Sequence, residues 1–207
     1  MGPQGSGKGT QAERIVKRYT IDYISTGDIF RKNVEERTEL GRKAKEALDK
    51  GMLVADSVVN AMVFERLKGK KGFILDGFPR TVNQAKALEK KHALDNVILL
   101  DVPDEVSMQR LASRRQCSGC GRIFGIDVQP RKEGACDSCG GALEQRDDDT
   151  VDKIRIRLEN YHKETEPLIA FYEKKGILTR IDGTKTIEGV FQDIVSGLKR
   201  KSRSTVA

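Results

Sequence analysis

Apolar positions along the chain fall into two rhythms. In "TQAERIVKRY", Ala12, Ile15, Val16 and Tyr19 recur at helical spacing, which predicts a helix there. Short apolar runs follow at "DYIS", "GFILDGF", "NVILLDV" and "GILTRID", each of strand length and nearly uncharged until its end. Helical patterns separate them, including "VDKIRIRLENYHKETEPLIAFYEKKG" and a final "TIEGVFQDIVSGL". Continuous apolar strands alternating with helices predict an α/β fold, a parallel sheet covered on both faces. One region departs from this order. From about Ser113 to Asp149 the helical period stops, glycine is frequent and all four cysteines occur, which predicts a small separate lobe. No internal repeat or low-complexity segment precedes the C-terminal tail.

Composition narrows the class. A chain of 207 residues is long enough for one compact core with an inserted lobe or two. With 33 % charged and 37 % hydrophobic residues it reads as a folded, water-facing protein rather than a disordered one. No apolar run approaches the roughly 20 residues needed to span a bilayer. The glycine-rich start lacks the apolar core of a secretory signal. A cytoplasmic protein with no membrane partner is expected. The net charge of +7 raises the question of nucleic acid. Four of the 38 basic residues (Lys199, Arg200, Lys201, Arg203) lie in the final "KRKSRSTVA", which has no acidic residue. Without that stretch 34 basic residues face 31 acidic ones, so much of the excess is a tail, and no nucleic-acid partner is expected.

Candidate chemistry begins at the first residues. "GPQGSGKGT" matches G-x-x-x-x-G-K-[ST] through Gly2, Gly7 and Lys8; Gly9 follows, and the hydroxyl comes one place later at Thr10. Such glycines let backbone N–H groups converge on phosphate oxygens while the next helix presents its positive end. Lys8 adds a point charge near a transferred phosphoryl group. The plainer alternative is a glycine-rich turn that only caps a helix.

"CSGC" and "CDSC" place Cys117, Cys120, Cys136 and Cys139 in two knuckles separated by 15 residues. That spacing predicts a closed tetrahedral Zn²⁺ site, structural because four thiolates leave no open position. Disulfides are the alternative, disfavoured in a reducing compartment; iron is another metal for such a site. Paired knuckles also occur in nucleic-acid-binding ribbons, so the metal alone does not decide function.

"FILDGFPRT" closes an apolar strand with Asp76 and continues through Gly77, Phe78, Pro79 and Arg80. An aspartate there, beside a phosphate loop, suits Mg²⁺ held through water, the alternative being a strand-end cap. Arg80 offers a planar fork for phosphate, or is a surface arginine. Further arginines surround the cysteine lobe: Arg110, Arg114, Arg115, Arg146, Arg155 and Arg157. His92 and His162 lie in highly charged segments and are expected to be exposed and non-catalytic. No Ser-His-Asp or Cys-His arrangement suggests a covalent nucleophile.

Taken together, "GPQGSGKGT", "ISTGDIFR", "GMLV", "FILDGFPRT" with Gln84, the knuckles, "QRDDD", "RIRLENY" and "IDGTK" resemble the adenylate kinase family of nucleoside-monophosphate kinases, in its long form with a zinc-bearing lid. The resemblance implies reversible phosphoryl transfer from Mg–ATP to AMP. It implies a core of residues 1–24, 55–112 and 150–207, an AMP-binding lobe over 25–54 and a lid over 113–149. Gly5, Ser6, Gly7, Lys8, Gly9 and Thr10 would cradle ATP, with Arg110, Ile123, Phe124 and Lys185 near its base. Thr26, Arg31, Met52, Leu53, Val54, Gly77 to Arg80 and Gln84 would bind AMP, with help from Arg146 and Arg157. Lys8, Arg80, Arg114, Arg146 and Arg157 would surround the migrating group, and Asp148 and Asp149 would help close the lid. Structural Zn²⁺ and Mg²⁺ are the implied cofactors, ATP and AMP the partners, and a monomer the expected state.

Thr26 in "STGD" and Gln84 favour AMP as acceptor, whereas pyrimidine-monophosphate kinases usually carry Ala at that Thr. Two alternatives stand beside this reading: a kinase with GTP as donor or another monophosphate as acceptor, and a zinc-ribbon nucleotide- or nucleic-acid-binding protein. The ribbon predicts aromatic and basic residues spread over the lobe, but the lobe has one aromatic, Phe124, and ends in an acidic run.

One departure from the resemblance concerns the sheet. Family members begin with a short apolar strand before the loop, at the middle of a five-stranded sheet, and here only Met1 precedes Gly2. About five such residues, half of them buried at ~1.5–3 kcal/mol each, contribute roughly 5 kcal/mol. A whole domain is stable by only about 5–15 kcal/mol. The first, central strand is therefore expected to be missing and the chain unstable unless something fills the gap. Two origins are considered: Met1 is an internal methionine of a longer protein, or the chain is a fragment.

Overall fold

The computed structural model describes residues 1–39, 41, 42, 45 and 54–204, with side chains up to residue 198. Met52 and Leu53 lie outside the described residues. The strand-then-helix order holds. Helix α1 (Lys8–Tyr19) leads to β1 (Asp22–Ser25) and α2 (Thr26–Glu35). Then come α3 (Asp56–Leu67), β2 (Phe73–Asp76), α4 (Val82–Glu89), β3 (Val97–Asp101) and α5 (Asp104–Ser113). After the cysteine lobe follow α6 (Val151–Asn160), a π-helical turn over Tyr161–Thr165, α7 (Pro167–Glu173), β7 (Leu178–Asp182) and α8 (Ile187–Ser204).

Among the described residues the core strands form two parallel pairs rather than one continuous sheet. β1 pairs with β2, from Asp22↔Phe73 to Ser25↔Asp76, and β3 pairs with β7, from Val97↔Leu178 to Asp101↔Asp182. Met1 takes one ladder position on the inner edge of β3. Its amine donates to the Ile98 carbonyl, and its carbonyl accepts from Leu100 N at 2.9 Å, the pattern of a parallel strand opposite Leu99. Beyond it lies a cavity of about 190 Å³, walled by Phe73, Ile74 and Leu75 of β2 and by Val97, Ile98 and Leu100 of β3. Tyr172 also lines it, and among the described residues the buried Tyr172 hydroxyl has no hydrogen-bond partner. The expected gap at the middle of the sheet is thus present.

Helices cover both faces, as continuous apolar strands require. Ile15 of α1 packs with Val190, Ile194 and Val195 of α8 over Leu100 and Ile181. Beside β1 and β2, Ile24, Phe30, Val59, Val63, Leu67, Phe78 and Leu88 form a second cluster joining α2, α3 and α4. Capping begins two of these helices. The Ser25 hydroxyl accepts from Asp28 N at 3.2 Å, and the Thr81 hydroxyl from Gln84 N at 3.1 Å.

The cysteine lobe is a three-stranded antiparallel sheet, β5 (Ile123–Phe124), β4 (Arg115–Cys117) and β6 (Leu143–Glu144), in that spatial order. Cys117, Phe124 and Cys136 make its small core. Of the two histidines, His162 is exposed as expected, bridging Asp104 and Glu166 at 2.9 and 2.7 Å. His92 is instead half-buried, edge-on to Phe73, because its helix end packs over β2.

Candidate active site

The opening glycines make the turn that the sequence requires. Gly5 has φ +80°, and a Cβ there would lie 2.8 Å from the Ser107 carbonyl oxygen; Gly7, at φ +89°, caps α1. Lys8 bends back over this loop, donating to the carbonyls of Gly2 at 2.8 Å and Pro3 at 2.6 Å. Burial lowers its ammonium to about 8; Asp76 opposes the shift, while Arg80, Arg157 and Arg114 add to it. Ser6 is buried, and Gly9 and Thr10 follow in the first turn of α1.

Asp76 ends β2 facing that turn: a Cβ on Gly9 would come within 3.7 Å of both the Asp76 carboxylate and the Tyr23 hydroxyl. Tyr23 Oη donates to Asp76 Oδ2 at 3.0 Å. Burial, then the Asp76 charge, pushes the phenol pKa up, so Tyr23 stays a donor. Nothing local to Tyr23 in the chain marks it. Its signal is the register, since Ser25 pairs with Asp76 and Tyr23 shares the face of Ser25.

A second cavity, about 570 Å³, opens between α2, the Gly77–Arg80 turn and the cysteine lobe. Thr26, Arg31, Val54, Gly77, Arg80 and Gln84 line one wall, and Arg146, Asp148 and Arg157 another. Gly77 has φ +76°, and a Cβ there would meet Thr26 Oγ1 at 2.6 Å; that hydroxyl donates to the Gly77 carbonyl at 2.9 Å. Arg80 Nε donates to the same carbonyl at 2.8 Å. Arg31 pairs with Asp28. Phe78 is buried edge-on to Phe64, and the Phe78–Pro79 peptide is cis. Gly77 and Arg80 line both cavities, so this turn separates the sheet-side space from the lobe-side one.

The lobe arginines converge on two aspartates. Arg146 holds Asp148 with two hydrogen bonds of 2.9 Å, and Arg157 Nη1 donates to the Asp148 carbonyl at 2.8 Å. Burial works to raise the Asp148 carboxyl, but Arg157 and Arg146 outweigh it and hold it at about 2. Arg114 binds Asp149. Burial lowers Arg157 to about 10, and Arg80 is lowered by the same cause. Lys8, Arg80, Arg114, Arg146 and Arg157 thus share one electrostatic neighbourhood.

The remaining predicted residues sit on the other side of α5. Arg110 Nη1 donates to the Gly183 carbonyl at 2.9 Å, beside the loop that carries Lys185, and pairs with Asp127 at 2.9 Å. Lys185 extends to Asp193. Ile123 is exposed on β5, while the Phe124 ring is buried in the lobe. Phe124 is therefore core, because so small a lobe has few other apolar side chains.

The four cysteine sulfurs all lie within 4.8 Å of one another and form no disulfide; Cys117–Cys139 and Cys120–Cys136 are 3.4 and 3.6 Å apart. Tetrahedral ligands at the usual Zn–S distance of ~2.3 Å are about 3.7 Å apart, so this set fits one metal ion. Asp76, ionisable and facing the loop, fits a water-held Mg²⁺.

Comparison with known proteins shows the family. The model of one family, adenylate kinase, matches residues 1–177. The chain belongs to the adenylate kinase family. Curated relatives named adenylate kinase include one from Carboxydothermus hydrogenoformans, 51 % identical over 97 % of this chain and 98 % of its own length. One from Caldanaerobacter subterraneus is 48 % identical over 100 % of this chain and 97 % of its own length. Another, from Archaeoglobus fulgidus, is 50 % identical over 97 % and 96 %. As a member of the adenylate kinase family the chain is an enzyme, and its reaction is phosphoryl transfer between ATP and AMP. Among the described residues no helix is long and apolar enough to cross a membrane.

Proposed function

We propose that this site carries out reversible phosphoryl transfer from Mg–ATP to AMP, giving two ADP, with the residues in the following roles. The observation that supports the assignment is that Arg80, Arg157 and Arg114 lie close enough to act electrostatically on the buried Lys8, while Arg80 lines both cavities. Both substrates are anions, and a loose in-line transition state spreads charge over the equatorial oxygens. It needs positioned cations in a water-poor site more than a general base. Gly5 to Thr10 take the donor phosphates on backbone N–H groups. The donor base lies along Arg110, Ile123 and the Lys185 backbone. Thr26, Arg31, Val54, Gly77 to Arg80 and Gln84 take the acceptor, together with Met52 and Leu53.

Asp76 would hold Mg²⁺ through water, and the ion would neutralise phosphate oxygens. Residues 25–54 and 113–149 act as lobes that exclude water from a core of 1–24, 55–112 and 150–207. A structural Zn²⁺ on Cys117, Cys120, Cys136 and Cys139 stiffens the smaller lobe. The protein works as a monomer in the cytoplasm. The test is ADP formation from Mg–ATP with AMP, GMP, CMP and UMP offered separately. Turnover with AMP alone is expected; a folded, metal-loaded chain silent with all four would overturn the proposal.

A further inference from the structure

Gln84, on the first turn of α4, is 2 % exposed and lines the larger cavity. Both ends of its carboxamide are engaged. Oε1 accepts from Arg80 N at 2.7 Å, and Nε2 donates to Asp56 Oδ1 at 2.7 Å. The other Asp56 oxygen accepts from Thr81 Oγ1 at 2.8 Å, and that hydroxyl accepts from Gln84 N, closing a ring of three side chains.

The chemistry of these partners orients the amide. A backbone N–H only donates and a carboxylate only accepts, so the oxygen must face Arg80 and the nitrogen must face Asp56. Turning the amide over would set N–H against N–H and oxygen against carboxylate. Each end keeps one unused position, an acceptor site on Oε1 and a donor on Nε2. A nucleobase edge with an amino donor beside a ring-nitrogen acceptor complements one amide phase. An edge with an oxo acceptor beside a ring N–H complements the other. A freely turning amide serves both, but a locked one serves a single phase for a given base orientation.

We propose that Asp56 is a positioning residue that sets acceptor selectivity by locking the Gln84 carboxamide in the phase that accepts an amino-bearing base. The inference rests on the proposed function above, in which this cavity takes the acceptor base. Adenosine and inosine monophosphates are the matched probes. They share size and charge and differ in 6-amino with bare N1 against 6-oxo with N1–H.

The experiment measures kcat/KM for AMP and IMP, with saturating Mg–ATP, in the full metal-loaded chain and its variants. Asp56→Ala is expected to lower the AMP:IMP ratio at least about tenfold, chiefly through AMP, because a site built to hydrogen-bond its substrate discriminates through those bonds. Asp56→Asn keeps an acceptor oxygen and is expected to retain most of the ratio. If Asp56→Ala does not fold, Asp56→Ser, too short to reach the amide, carries the same comparison. Equal losses with both nucleotides, leaving the ratio unchanged, overturn the lock. Gln84→Ala separates the two levels of the argument. A ratio moved by Gln84→Ala but not by Asp56→Ala defeats the lock alone, and a ratio moved by neither defeats the acceptor-site reading as well.

Discussion

Arg114 meets Asp149 side-on, its Nε and Nη2 donating to the two carboxylate oxygens at 2.7 and 2.6 Å, with Asp149 only 1 % exposed. Arg114 leaves the end of α5 and Asp149 precedes α6, so this pair ties together the two chain segments that enter and leave the cysteine lobe. Asp149→Asn removes the charge and keeps the shape. Breaking one side of a buried pair costs about 3–5 kcal/mol, so a clear fall in denaturant midpoint is expected. An unchanged midpoint would show that Arg114 finds another partner.

Asp148 predicts a pH dependence of stability. Its folded pKa of about 2 lies below the ordinary carboxyl value of 3.8, so its contribution is fully present above pH 3.8 and is lost as pH falls through 2. Asp148→Asn should therefore be less stable than the parent at pH 6, and the difference should vanish near pH 2. Thermal melts across that range read it directly; a constant difference would mean that Arg146 and Arg157 do not favour the ionised form.

Lys8 predicts a pH dependence of activity with the opposite charge logic. With its pKa lowered to about 8, the free enzyme loses this cation as pH rises past 8. Bound phosphates supply negative charge and restore it. Since kcat/KM reports the free enzyme and kcat the complex, kcat/KM for ATP should fall above about pH 8 while kcat holds to higher pH. Lys8→Met should cost roughly 10²–10³ in kcat with the fold intact, the scale for losing one preorganised electrostatic contact.

Metal removal should act on stability first. The lobe core has only Cys117, Phe124 and Cys136 buried, with Val128 and Leu143 beside them, too little for a separate stable unit. Chelation is expected to lower the melting temperature at metal concentrations where preference for AMP over other acceptors is unchanged. Parallel loss of both would assign the metal a part in acceptor choice.

The features legible in the sequence are those whose chemistry is local. The glycine spacing of residues 2–9 and the two Cys-x-x-Cys knuckles carry their constraints within a few residues; the first makes a tight turn ahead of α1 and the second brings four sulfurs together. Lys8 is legible in the glycine motif and Arg80 half-legible after Asp76, whereas Arg114, Arg146 and Arg157 are reachable only through the family resemblance, because each alone reads as a surface residue. Contacts that depend on register or packing were out of reach: Tyr23 with Asp76, 53 residues apart, and Asp56 with Gln84, 28 apart. Phe124 shows the converse, an aromatic placed near a base that the small lobe needs for its own interior.

The space between β2 and β3 has one further physical consequence. Pressure favours unfolding in step with the empty interior volume that unfolding eliminates, so the midpoint pressure of this chain reports how far the apolar space between β2 and β3 excludes water.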